Sequence, residues 1–462
     1  MSANTGVVTY GGLTHEVSQY YDSVVVQLPG TGHTNTTKYC FLSRVDPWDD
    51  PSTPEDEEKT PPTPALTQQN IKNVYKNMFV IKRVYPNDMS PLTDRIDWTL
   101  NEVYDYYRDD VDMLERDTNK RFIKKFYIKN KFDQVFKCLW NNNNANSTDE
   151  PYFAPGQMSE TFVYTGSDGY KWIYMYTIEG DSKQKFLDEY WMPVPLANTA
   201  GLSSNTVNSG NIPVVCVFDG GAGYYSTNTI VSITGSNNRT ATASAVINNG
   251  IITDVIVSDP GFGYISANVV ITSPTGSGAN VQAFVSPMNG HGSDPFEEFG
   301  TSHIMVTQTF EGDEAGLIPT NIKYRQLGFI INPSAPSSYP WQCERETYSL
   351  STDLIVSNGP DNYTSDEIVY QSSDGTLANA TFSATCLDFQ PAANKLRLIN
   401  TYGTPNTNMT IIGTNTEATR TVLSITYPDF TMYSGYITYI ENREGTQRSQ
   451  DGSEQVRLIV GF

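Results

Sequence analysis

The chain has 462 residues, and 51 Asp and Glu against 30 Lys and Arg give it a formal net charge of −21. That balance excludes a nucleic-acid binder and an anionic-membrane binder, both of which need a basic face. Charged residues make up 18% and aromatics 12%, with 29 tyrosines, which sets aside long helical arrays and disorder and predicts a mainly β, multi-domain fold.

Met1 to Thr5 lack the basic and apolar stretches of a signal peptide. No apolar run approaches the roughly 18 residues of a membrane span. The expectation is therefore a chain folded in a cytosol. Its five cysteines (Cys40, Cys138, Cys216, Cys343, Cys386) show no CxxC spacing and read as reduced, buried thiols.

Alternation predicts first strands at 24–28 and 39–42. Residues 46–64 hold Pro47, Pro51, Pro54, Pro61, Pro62 and Pro64 among acidic residues from Asp49 to Glu58. Proline cannot support a helix or a paired strand there, so the stretch reads as a solvated loop, with no EF-hand spacing to organise its carboxylates. Thr67 is a candidate N-cap for a short helix with Ile71, Val74, Tyr75 and Met78 on one face. From Trp98 onward, Leu100, Val103, Tyr104, Tyr107, Val111 and Leu114 recur at helical spacing and predict a second helix packed on the core. Strands follow at 126–128 and 135–140. Asn141 to Asn144 break the second, and Asp168-Gly169 marks a hairpin before another strand at 170–178.

An internal repeat comes next. Asp219-Gly220-Gly221-Ala222-Gly223-Tyr224 matches Asp259-Pro260-Gly261-Phe262-Gly263-Tyr264, and the two tyrosines lie 40 residues apart. Each copy begins with an apolar strand, continues into an Ile-Thr strand, and ends in a strand of alternating small residues. Asn249-Gly250 joins the copies as a two-residue hairpin signal, so the segment reads as a duplicated all-β module. A phosphate-binding glycine loop must open a helix, and strands follow both copies here, so these glycines read as turn chemistry. Asp219 and Asp259 fit Asx-turns, with calcium binding as the alternative. Short strands recur across 367–425 and suggest a small barrel or sandwich. Two more strands, 436–440 and 455–460, close the chain.

No catalytic, cofactor-binding or metal-ligating constellation emerges. His15, His33, His291 and His303 form no HExxH motif or pair at metal-ligand spacing, and there is no Gly-x-Ser-x-Gly elbow. His291 sits between Gly290 and Gly292, where a solvent-facing or structurally bonded ring is expected. Neighbouring carboxylates such as Asp188 and Glu189 read as solvated.

Several stretches, in order, resemble one family. They are Phe41-Leu42-Ser43-Arg44-Val45-Asp46-Pro47-Trp48; Val74-Tyr75 with Val80-Ile81-Lys82-Arg83-Val84; Arg95-Ile96-Asp97-Trp98; and Val135-Phe136-Lys137-Cys138-Leu139. They continue with Asp168-Gly169-Tyr170-Lys171-Trp172-Ile173-Tyr174, Arg325-Gln326-Leu327-Gly328-Phe329-Ile330-Ile331-Asn332-Pro333, Ser434-Gly435-Tyr436-Ile437-Thr438-Tyr439-Ile440-Glu441-Asn442-Arg443, and the last strand from Glu454 to Phe462. Together they resemble the gene-8-type baseplate wedge proteins of T-even-like contractile-tailed phages. The resemblance implies a non-enzymatic structural subunit without cofactor. It implies a homodimer that joins other baseplate wedge proteins in the virion tail after assembly in the host cytoplasm.

Relative to compact members, 197–290 and 343–428 look like all-β insertions into a β-sandwich or barrel scaffold. That scaffold is built from 1–196, 291–342 and 429–462, with a few short helices. Two alternatives make different demands. A receptor- or glycan-binding tail adhesin expects aromatic rings on the insert surfaces, Tyr224 and Tyr264 among them. A wall-degrading hydrolase expects a cleft with two carboxylates at glycosidase separation.

Overall fold

The computed structural model describes residues 6–8, 37–48, 60–119, 121–154, 163–195, 209–287, 289–301, 303–338, 342–449 and 452–461. The strand expected at 24–28, residues 49–59 of the acidic loop, His15, His33 and Phe462 lie outside the described residues.

Among those residues the chain is mainly β, with three α-helices. It runs through β1 (Gly6–Val8), β2 (Lys38–Ser43), α1 (Gln68–Asn77), β3 (Met78–Arg83), β4 (Met89–Asp94), β5 (Tyr127–Lys129), β6 (Gln134–Trp140), β7 (Val163–Thr165) and β8 (Lys171–Thr177). Next come α2 (Gly180–Phe186), β9 (Trp191–Pro193), β10 (Val215–Ala222), β11 (Ile230–Thr234), β12 (Thr242–Asn248), β13 (Ile251–Asp259), β14 (Asn268–Thr272), β15 (Ser277–Ala283) and α3 (Pro295–Glu298). Then follow β16 (His303–Glu311), β17 (Lys323–Ile331), β18 (Thr347–Ser349), β19 (Thr352–Val356), β20 (Ile368–Gln371), β21 (Phe382–Gln390) and β22 (Lys395–Gly403). The last are β23 (Thr410–Gly413), β24 (Thr419–Thr426), β25 (Tyr436–Gln447) and β26 (Ser453–Gly461). Two compact units divide the chain: Met1–Met89 with Val306–Val460, and Ser90–Met305 with Gly461–Phe462.

In the first unit a six-stranded sheet has the order β1-β25-β17-β2-β3-β18. Its register places Ile81, Phe41, Gly328 and Ile440 in one row. Gly328 carries no side chain for a steric reason, since a Cβ there would run into the Tyr439 carbonyl and the Phe41 ring. Thr67 caps α1 as expected, its Oγ1 accepting from the Asn70 N–H at 3.2 Å. Val74 and Tyr75 bury α1 against Tyr39, Phe41, Ile81 and Ile437. β19 to β24 close into a barrel of order β19-β22-β21-β20-β23-β24. Closure removes every sheet edge and buries the inward row of Leu354, Val369, Phe382, Leu396, Leu398 and Ile411.

In the second unit β5-β6-β8-β7 form an antiparallel sheet, and β4 pairs with β9. The helix expected from Trp98 is absent. Residues 98–114 run as turns and irregular chain, with Leu100, Val103 and Val111 exposed. Two of its aspartates bond backbone N–H groups, one within the stretch and one beyond it. Asp112 Oδ1 accepts from the Leu114 N–H at 2.9 Å and Asp105 Oδ2 from the Lys125 N–H at 2.8 Å. The backbone N–H groups then reach distant carbonyls, Tyr107 to Cys138 at 2.8 Å and Asp105 to Lys125 at 3.0 Å. The two tyrosines of the stripe meet different partners, Tyr104 packing on Trp172 and Tyr107 on His291, while Tyr106 between them packs on Trp140.

Asn142, Asn143 and Asn144 end β6 as a left-handed turn, with φ of 49°, 57° and 61°. Asparagine tolerates that region better than other chiral residues. The Asn143 amide donates to the Val217 carbonyl of β10 at 3.2 Å, and the Asn142 amide to the Asp168 carbonyl at 3.0 Å.

The repeat forms three two-stranded ribbons: β10 with β15, β12 with β13, and β11 with β14. Each copy's first strand therefore pairs with the other copy's last strand. One β-bulge matches as well, skipping Phe218 in one ribbon and Ser258 in the other, 40 residues on, and the β12–β13 ribbon has a second at Thr253.

Candidate functional site

Among the described residues, Asp188, His291 and His303 each have structural partners. Asp188 Oδ1 accepts from the N–H groups of Tyr190 and Trp191 at 2.8 and 2.7 Å, which makes it a turn residue and no part of a carboxylate pair with Glu189. The His303 ring lies 4.1 Å from that of Trp191, centroid to centroid. Among the described residues no three His, Cys, Asp or Glu side chains group as metal ligands. All five cysteines are free and buried, and burial pushes the Cys40 thiol up to about 12, away from reactivity.

His291 belongs to a buried polar cluster with Lys137 of β6 and Glu298 of α3. The Lys137 ammonium donates to Glu298 Oε2 at 2.8 Å and lies 3.3 Å from His291 Nδ1. Glu298 Oε1 accepts from the Gly292 N–H at 2.5 Å, and the ammonium sits 4.2 Å from the centre of the Tyr107 ring. Burial, and next the Lys137 charge, lower the His291 pKa to about 4, so the ring is neutral at neutral pH and the ion pair is that of Lys137 and Glu298. Burial is the largest influence on the Glu298 carboxyl and would raise it, but the Lys137 charge and the hydrogen bonds to His291 and Lys137 together outweigh it and hold the pKa down to about 2. The cluster is closed to solvent and every charge has a partner, which suits a pin between β6 and α3 better than acid–base chemistry. Sequence reasoning missed it because 154 residues separate Lys137 from His291.

The glycine loops of the repeat are turns. Gly221 and Gly261 have φ of 59° and 60°, Gly223 and Gly263 of 80° and 82°. Asp219 Oδ1 accepts from the Gly221 N–H at 2.8 Å, and Asp259 Oδ1 from the Gly261 N–H at 2.9 Å, an Asx-turn in each copy. Tyr224 and Tyr264 correct an expectation, because both rings are 4% exposed and cannot stack on a sugar. Each hydroxyl is committed to the opposite copy. Tyr224 OH accepts from the Ala279 N–H at 3.1 Å, and Tyr264 OH from the Ala241 N–H at 2.8 Å. A groove of about 510 Å³ beside β14 and β15, lined by Ile271, Ser273, Asn280 and Val281, has no charged side chain on its walls.

A surface of different character surrounds α1. The Tyr75 hydroxyl donates to the carbonyls of Ser434 and Gly435, both at 3.1 Å, and its ring meets that of Tyr433 edge-on at 5.6 Å. Tyr436 is close enough that, after burial, it is the next cause raising the Tyr75 pKa to about 12. On the adjoining residue of α1, the Lys76 ammonium lies 3.8 Å from the centre of the Tyr402 ring. Tyr402, Met432, Tyr433 and Tyr436 are all exposed.

No protein-family model matches this chain, and no curated protein matches it significantly.

Proposed function

We propose that the chain is a structural subunit of the baseplate wedge of a contractile phage tail, a dimeric β-rich connector between other wedge proteins that performs no catalysis. One observation carries the reading. Several of the family-like segments are far apart in sequence, yet they fall on hydrogen-bonded neighbours. β3, β2, β17 and β25 are consecutive strands of the six-stranded sheet, and β6 pairs directly with β8. Arg44 and Trp48 at the end of the first of these segments have a fastening role of their own. Arg44 lies 4.2 Å from the centre of the Trp48 ring, and the Trp48 indole donates to the Arg443 carbonyl at 2.8 Å. The segments without family counterpart include the closed barrel and the reciprocal module, each with a core of its own.

Co-expression with the other wedge proteins of the same phage tests this. The expected result is a stoichiometric complex containing two copies of this chain, read by light scattering. A monomer that joins none of those proteins would overturn the reading.

A further inference from the structure

Resting on that reading, we propose that the tyrosine face around α1 is the surface on which a second copy of this chain docks. Tyr402, Tyr433 and Tyr436 are 55%, 48% and 69% exposed, and Met432 beside them is 39% exposed. With tyrosine side chains of roughly 150–250 Å² each, they place on the order of 400 Å² of ring and thioether surface in water. That is about the size of the largest patch on a typical monomer. It is also about half of the roughly 800 Å² per partner that a stable dimer buries, a fitting core for an interface whose rim is polar.

The distribution of charge selects a second copy as the occupant. Two chains of net charge −21 repel each other over most of their surfaces. The local negative charge is lifted on this face, because α1 carries Lys72 and Lys76 and no carboxylate. The carboxylate that precedes Met432, Asp429, is already paired with Arg345 at 3.1 Å. Two such faces related by a two-fold axis bring tyrosine against tyrosine, as an isologous contact requires, with α1 contributing no carboxylate and Asp429 already paired. The tyrosines are also partly held in place before docking, by the Tyr75–Tyr433 contact and by Lys76 over Tyr402, so little side-chain freedom remains to be lost.

The test is sedimentation and light scattering of the full chain over a concentration series. It compares wild type with the double variant Tyr402→Asp/Tyr436→Asp, with Tyr402→Phe/Tyr436→Phe, and with Tyr225→Asp, an exposed tyrosine of the repeat module. We expect a wild-type dimer and a rise of roughly 100-fold or more in the dissociation constant for the Asp double variant. Its circular dichroism and melting temperature should be unchanged, and the Phe and Tyr225 variants should stay dimeric. A wild-type dimer that the Asp pair leaves intact, or that Tyr225→Asp breaks equally, overturns this surface and leaves the connector reading standing. A wild type that is monomeric at every concentration overturns both. Loss of binding to other wedge proteins with no change in the dimer overturns the second copy as the occupant.

Discussion

The barrel of β19 to β24 and the repeat module of β10 to β15 each contain six strands, yet they close by different means. In the barrel every strand is hydrogen-bonded to two neighbours, and a continuous inward row of Leu, Ile, Val and Phe fills the interior. In the module each strand has one paired neighbour, the ribbons share an apolar core, and at one end of two of the ribbons a buried tyrosine hydroxyl bonds across to the strand from the other copy. Exchange of last strands means that neither copy completes its own ladder. The comparison teaches that closed ladders tie a region together through its backbone, whereas swapped ribbons are joined to one another by side-chain packing in their shared core.

The largest test acts on the barrel. Leu398 is fully buried in its core, so Leu398→Ala should cost about 3–4 kcal/mol through lost burial and a residual cavity. Because the ladder is closed, hydrogen exchange should accelerate in β19 to β24 together, with exchange in β10 to β15 unchanged. Acceleration confined to β22 would break the contrast.

Acid sharpens it next, because two sites respond with opposite signs. In the second unit His291 has a folded pKa near 4 against an ordinary 6.5. As pH falls from 6.5 to 4 the unfolded chain takes up a proton that the folded chain refuses, so this unit loses stability, by about 2 kcal/mol between pH 7 and 5. Glu298, held near 2, extends the loss below its ordinary 4.5. Asp366, just before β20 in the barrel, runs the other way. Burial, and next the Asp46 carboxylate, raise its pKa from 3.8 to about 6, against the opposing charges of Arg325 and Lys323. The folded barrel therefore takes up its proton first, and this site stabilises it as pH falls from 6 to 3.8. Exchange at pH 7 and 5, corrected for intrinsic rates, should show protection falling around β6 and α3 and rising around β20. His291→Gln should flatten the first response and Asp366→Asn the second. A uniform fall in both regions would refute the assignment.

How much of this was legible follows from the range of each interaction. The strands of the barrel, the cap at Thr67 and the Asn249-Gly250 hairpin are signalled by alternation and turn residues within a few positions. The stripe from Leu100 to Leu114 misled because its apolar spacing is helical, while its N–H groups and Asp105 bond to Lys125 and Cys138, which lie far along the chain. The pairing of β10 with β15 was not legible, since nothing local distinguishes a ladder closed within a copy from one closed between copies. The same holds for Lys137 with Glu298 and for Tyr75 with Tyr433, which meet only after folding.

The smallest effect bears most directly on reciprocity. Tyr264→Phe keeps the ring and removes only the acceptor for the buried Ala241 N–H, an unsatisfied donor that should cost about 1 kcal/mol. Tyr224→Phe removes the matching acceptor for Ala279, but that contact is longer, at 3.1 Å against 2.8 Å, and partly exposed, so water can replace it and the loss should be smaller. Strand exchange fixes where the damage appears. Tyr264→Phe should loosen β12, in the other copy, and Tyr224→Phe should loosen β15, while each mutated residue's own turn stays protected by its Asx bond. If the two losses also exceed additivity in the double variant, the bonds cooperate across the exchanged strands. Strict additivity, with loosening confined to the mutated copy, would mean that each copy closes on itself energetically despite sharing its ladders.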